Sequence, residues 1–148
     1  MFNIIIVPVV SALLAQIIKA VINGFRDKFS WRDLVTYGGM PSSHAALVTS
    51  LALMAGLTDG WDSAAFAIAL FLAILIIRDA GGYRMEMSKH AVELNKIISK
   101  LSANLPAPSV SSSVESVPFL KEQIGHYPLE LFFGCLLGVA VVVVSIII

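Results

Sequence analysis

The sequence predicts an all-α fold: an integral membrane helical bundle of about four transmembrane helices plus one amphipathic interfacial helix. Three observations predict it. The 148 residues are 57% hydrophobic and 14% charged, where a soluble domain carries roughly 25% charged residues. Mean hydropathy is +0.86. The apolar residues gather into four long segments, with one stretch of helically spaced apolar residues between the third and fourth. The length sets a single domain over residues 1–148. Ten basic residues balance ten acidic ones, so the charge that nucleic-acid binding requires is absent.

The first segment runs from about Phe2 to Ile22, with Pro8, Gln16 and Lys19 as its main interruptions. A span needs about 20 predominantly apolar residues, and this segment supplies them. No basic stretch precedes it and no small-residue cleavage site follows, so a retained helix is expected rather than a removed signal. The second segment, from about Ser43 to Leu57, is shorter and spans if packed among other helices. The third is "WDSAAFAIALFLAILII", Trp61 to Ile77. Only "TDG" separates it from the second, so the two form a tight hairpin.

Beyond it, Met87, Ala91, Leu94, Ile97, Ile98 and Leu101 recur at helical spacing among Lys and Glu. That pattern is an amphipathic helix lying on the membrane surface or against the bundle. Residues 102–118, rich in Ser and Pro, read as a mobile loop. The fourth segment, Pro128 to Ile148, spans. Its Gly134 and Gly138 permit close helix packing, either inside the bundle or across a homodimer. The single cysteine, Cys135, lies in this apolar run and reads as a small core residue.

Four spans place the end of the first, the start of the second, the end of the third and the start of the fourth on one face. All ten Lys and Arg residues fall on that face. The positive-inside rule then puts it in the cytoplasm, in a bacterial-type inner membrane, with both termini outside.

Four polar clusters converge there. Lys19 and Arg26 lie at and beyond the end of the first helix, where snorkelling also accounts for them. Pro41-Ser42-Ser43-His44 opens the second helix. Ser supplies a cap, and the free N–H groups of a helix start make an anion site. His44 beside such an anion is placed to donate a proton to a leaving alkoxide. Arg78 and Asp79 follow the third segment, then Arg84 after "AGGY"; Gly81 reads as a helix stop there. In "GHYPLE", Pro128 suits the first helical turn. Glu130 lies four residues beyond His126, within reach of one imidazole nitrogen, which leaves the other free to attack.

These residues resemble the type 2 phosphatidic acid phosphatases, relatives of the vanadium-dependent haloperoxidases, which carry K-x6-R-P, P-S-G-H and S-R-x5-H-x3-D blocks. Here the blocks read Lys19-x6-Arg26, "PSSH" and His126-x3-Glu130. With "GGMPSSH", "DAGGYR" and "GHYPLE", the chain looks like the divergent short branch of that family over almost its whole length. The resemblance implies a membrane lipid as substrate and no metal or other cofactor. It implies that Lys19 and Arg26 bind phosphate oxygens and that Ser42 and Ser43 hold phosphate. His44 would be the general acid, His126 the nucleophile and Glu130 its orienting group. The chain departs from the pattern at Leu120, where the family has an arginine; Arg84 or Arg78 takes its place, with Arg84 favoured. Asp79 completes that cluster.

Two function classes follow. One is a phosphatase acting on a lipid phosphate or diphosphate, with phosphatidylglycerophosphate as the candidate for a cytoplasmic site. The other is a non-catalytic phospholipid-binding or assembly protein that keeps the fold. Leu120 points to the second; the retained histidines with Glu130 at the right spacing point to the first.

Overall fold

A computed structural model describes residues 3–26, 39–104, 119–122 and 125–148. Helix α1 spans Asn3–Arg26, α2 Ser43–Asp59, α3 Ala64–Arg78, α4 Arg84–Asn104 and α5 Pro128–Ile147. No strand occurs among the described residues. Among the described residues, three helical stretches are long and apolar enough to cross a membrane: Asn3–Ile22, Ala64–Leu101 and Pro128–Ile147. The 17 residues of α2 rise about 26 Å at 1.5 Å each, close to the hydrocarbon thickness of roughly 30 Å.

Helix α2 is the hub. It packs against α1, α3 and α5, while α1 also touches α5. Its sequence explains this, because it is apolar around its whole circumference, the pattern of a helix buried on every side. Small residues (Ala45, Ala46, Ser50, Ala52, Ala55, Gly56) form most of its buried surface and let its neighbours approach. Gly134 and Gly138 of α5 use that approach inside the chain. A Cβ on Gly134 would collide with the carbonyl oxygen of Ser42, and one on Gly138 would lie 2.6 Å from that of Ala46. Cys135 packs beside Ala45, Ala80 and Leu131, as a small core residue should.

Helices α3 and α4 are not separate. Residues Asp79–Tyr83 form a π-helical turn that joins them into one continuous helix. The expected stop at Gly81 does not occur, because the Arg84 N–H reaches back five residues to the Asp79 carbonyl and keeps the ladder unbroken. Gly81 serves packing instead: a Cβ there would sit 2.7 Å from Leu131 Cδ1. The amphipathic segment therefore leaves the bundle as a prolongation of α3. It extends through Asn104, so residues 102–104 of the expected loop are its last turn. Residues 105–118 lie outside the described residues.

The face of α4 carrying Ser88, Ala91 and Asn95 is buried. The segment leading to α5 returns along it toward the π turn. Asn95 Nδ2 donates to the Leu120 carbonyl and its Oδ1 accepts from the Leu120 N–H, both at 2.9 Å. Further along, the Gly125 N–H donates to Ser88 Oγ at 3.2 Å. Finally the His126 N–H donates to the Ala80 carbonyl at 3.0 Å. Gly125 is needed for this approach, since a Cβ would fall 2.6 Å from the Met85 backbone nitrogen. Three bonded stations thus bring His126 to the π turn.

Candidate active site

The site is built where the starts of α2 and α5 meet the π turn. His126 ties α5 to the π turn through the Ala80 carbonyl, and Glu130 joins the two helix starts. Its Oε2 lies 2.8 Å from His126 Nδ1 and accepts from the Tyr127 N–H at 3.3 Å. Its Oε1 accepts from the Gly39 N–H at 3.2 Å, and its carbonyl accepts from the Ser42 N–H at 2.9 Å. An ionised carboxylate accepts only; opposite it the contact proton is on His126 Nδ1, and a neutral imidazole then keeps the Nε2 lone pair free. Both side chains are nearly removed from solvent, at 8% and 10% exposure. A one-turn spacing on a proline-started helix suffices to create the pair; the tie to Gly39 is long-range.

His44, on the first turn of α2, faces His126 with ring centroids 6.5 Å apart and planes tilted by 60°. The two imidazoles therefore border a common space at the start of α2. His44 is exposed and sits in the electrostatic field of Arg84, Lys19 and Asp79. Lys19 is 97% buried, at 3% exposure, with its aliphatic arm beside Gly39. An anion among these groups would offset the positive field.

Arg84 donates from Nε to Asp79 Oδ2 at 2.7 Å. Residues five apart point to different sides of an α-helix, whereas an i→i+5 turn aligns them. The π turn therefore makes the pair, and the outer guanidinium nitrogens remain available as donors. Asp79 is thus a partner of Arg84 rather than a ligand for an anion. Arg78 is exposed on the last turn of α3 and does not join the groups acting on His44. Arg26 ends α1; its side chain lies outside the described residues.

The two serines divide their work. Ser42 is the N-cap of α2: its Oγ accepts from the Ala45 N–H at 3.4 Å, and it is fully buried at 0% exposure. Its own N–H is committed to the Glu130 carbonyl, so Ser42 is engaged within the protein through both backbone and side chain. Ser43 begins the helix with a half-buried hydroxyl. That hydroxyl accepts from Gln16 Nε2 of α1 at 3.2 Å, a contact the sequence reading missed. The available signal was that Gln16 and Lys19, polar residues in an apolar helix, stand three apart and so share a face.

Leu120 has a structural explanation. Held at Asn95, it lies about three turns, roughly 16 Å, along α4 from Arg84. Among the described residues no group of three or more His, Cys, Asp or Glu side chains is placed to hold a metal ion.

The all-α bundle thus brings two facing histidines, a carboxylate behind one, and the buried Lys19 and half-buried Arg84 to one end of the molecule. The profile of the Divergent PAP2 family matches residues 2–141, and the chain belongs to that family. It is 34% identical over 145 residues to the uncharacterized membrane protein YuiD of Bacillus subtilis (strain 168), covering 93% of this chain and 92% of the relative. No solved structure matches.

Proposed function

We propose that the protein hydrolyses a lipid phosphate or diphosphate through a phosphohistidine intermediate, without a metal ion. The observation that carries this is the 2.8 Å His126–Glu130 contact opposite His44. In the first step His126 Nε2 attacks phosphorus. The bond to the leaving oxygen breaks, its electron pair stays on that oxygen, and His44 supplies the proton. In the second step water attacks phosphorus and gives a proton to His44. The P–N bond electrons return to Nε2 and phosphate leaves. Lys19 and Arg84 stabilise the charge that develops on the equatorial oxygens.

The apolar part of the substrate has a place beside this site. A groove of about 330 Å³ between α1 and α5 begins at Met40 and Pro41 and is lined by Ile18, Ile22 and Phe133. Ala140 at its far end also lines a second groove of about 540 Å³ toward the opposite end of the bundle. A hydrocarbon chain laid along both would keep its phosphate at the start of α2. The distribution of Lys and Arg supports a cytoplasmic site, and hence a lipid phosphate made on that side, phosphatidylglycerophosphate foremost.

The test is phosphate release by purified protein in detergent with chelator present, from phosphatidylglycerophosphate, phosphatidic acid and isoprenyl diphosphates. Release is expected from at least one lipid, and His126→Ala should lower it by about 10³-fold or more with helicity unchanged. A folded protein that binds these lipids yet releases nothing would instead establish a binding protein.

A further inference from the structure

The geometry points to Gln16 as a positioning residue for the phosphate site, setting the direction of the Ser43 hydroxyl proton. This rests on the phosphate-binding reading above and extends it to a residue outside the family's three blocks.

A serine hydroxyl has one proton to give and two lone pairs to accept with. In the structure one lone pair of Ser43 Oγ takes the Gln16 Nε2 proton. Its own proton is therefore left for another acceptor. At the first residue of a helix, beside backbone N–H groups that lack intrahelical partners, that acceptor would be a phosphate oxygen.

The other end of the amide shows what the arrangement costs. Gln16 Oε1 is buried and has no hydrogen-bond partner among the described residues. An unsatisfied buried acceptor is costly, because it gives up its bonds to water without replacing them. Turning the amide over would place Oε1 against Ser43 Oγ, where the hydroxyl would give its proton to the glutamine. The Ser43 proton would then be lost to the ligand. The orientation seen here keeps it available and leaves the cost on Oε1. Lys19, one turn further along the same face of α1, acts on His44, so both polar residues of that turn serve the start of α2.

The experiment measures orthovanadate affinity, as a phosphate probe, for the full-length protein in detergent and for Gln16→Met, Ser43→Ala and the double variant. Methionine preserves the length and packing of residue 16 while removing the amide. Each single substitution is expected to weaken vanadate binding by about tenfold, with the double variant no weaker than Ser43→Ala alone. Gln16→Glu should be worse than Gln16→Met, because a carboxylate would take the Ser43 proton and repel the anion. Wild-type affinity in Gln16→Met, or losses that multiply in the double variant, would overturn the proposal. So would a wild-type protein that binds no vanadate. Assaying lipid-phosphate release on the same preparations separates the two readings. Vanadate binding without release removes hydrolysis and leaves Gln16 in its role. Release with an indifferent Gln16→Met removes Gln16 and leaves hydrolysis.

Discussion

Two helices of this bundle begin in the same way at opposite ends of the molecule. Ser42 caps α2 through the Ala45 N–H, and Ser63 caps α3 through the Phe66 N–H at 3.1 Å. Both helix starts expose the positive end of a dipole and unsatisfied N–H groups. Their surroundings differ. Around Ser63 stand the exposed Asp59 and Asp62, with Trp61 edge-on to Phe66 at 5.0 Å. Around Ser42 stand His44, His126, the buried Lys19 and, through the π turn, Arg84. A capped helix start is common to both ends; only one has been given cations and histidines. In the proposed mechanism the cap alone makes no anion site, and the chemistry comes from what other helices bring to it.

The largest effect should come from removing that contribution while leaving the cap. Lys19→Met keeps a side chain of similar length in a buried position and should lower phosphate release by about 10²- to 10³-fold, the usual cost of losing a charge-stabilising donor. Steady-state kinetics check this, and a loss below threefold would mean that α1 adds little beyond packing.

Next comes packing. Gly134 of α5 sits on the backbone carbonyl of Ser42, which cannot move aside, while the Cβ of a residue at Gly56 would meet only the Trp61 ring at 2.6 Å. Gly134→Ala should cost about 1–3 kcal/mol by overpacking. Gly56→Ala should cost less, since the half-exposed ring can swing away and alanine favours the helix by up to about 1 kcal/mol. Thermal unfolding in detergent gives the ranking; equal costs would remove the distinction between the two ends.

The smallest effect sharpens the comparison most. Ser63→Ala should lose about 1 kcal/mol of stability, the typical worth of a cap, and leave phosphate release unchanged. A fall in release with Ser63→Ala would mean that the hairpin end takes part in function.

Much of this is legible in the sequence. The apolar segments lie close to the helices, and the second and fourth begin where Ser43 and Pro128 say they should. The His126–Glu130 pair was legible because both members lie within one turn of a single helix start. Where the reading erred, distant partners decided. Gly81 resembles a helix stop in sequence, but Leu131 of another helix occupies the space its missing side chain leaves. Ser42 and Ser43 are equivalent in the motif, yet their partners differ: Glu130 and Ala45 hold Ser42, and Gln16 reaches Ser43. The order of Arg78 and Arg84 was likewise set by an i→i+5 turn that no spacing rule announces.

By itself the sequence determined that this chain enters a membrane as helices and which polar residues gather at one end. Hydropathy and helix periodicity are local properties, written in consecutive residues. Tertiary structure alone decided which of those polar groups face one another. That depends on how closely α2, α5 and the π turn approach, and the approach is fixed by small residues and backbone hydrogen bonds between segments far apart in the chain.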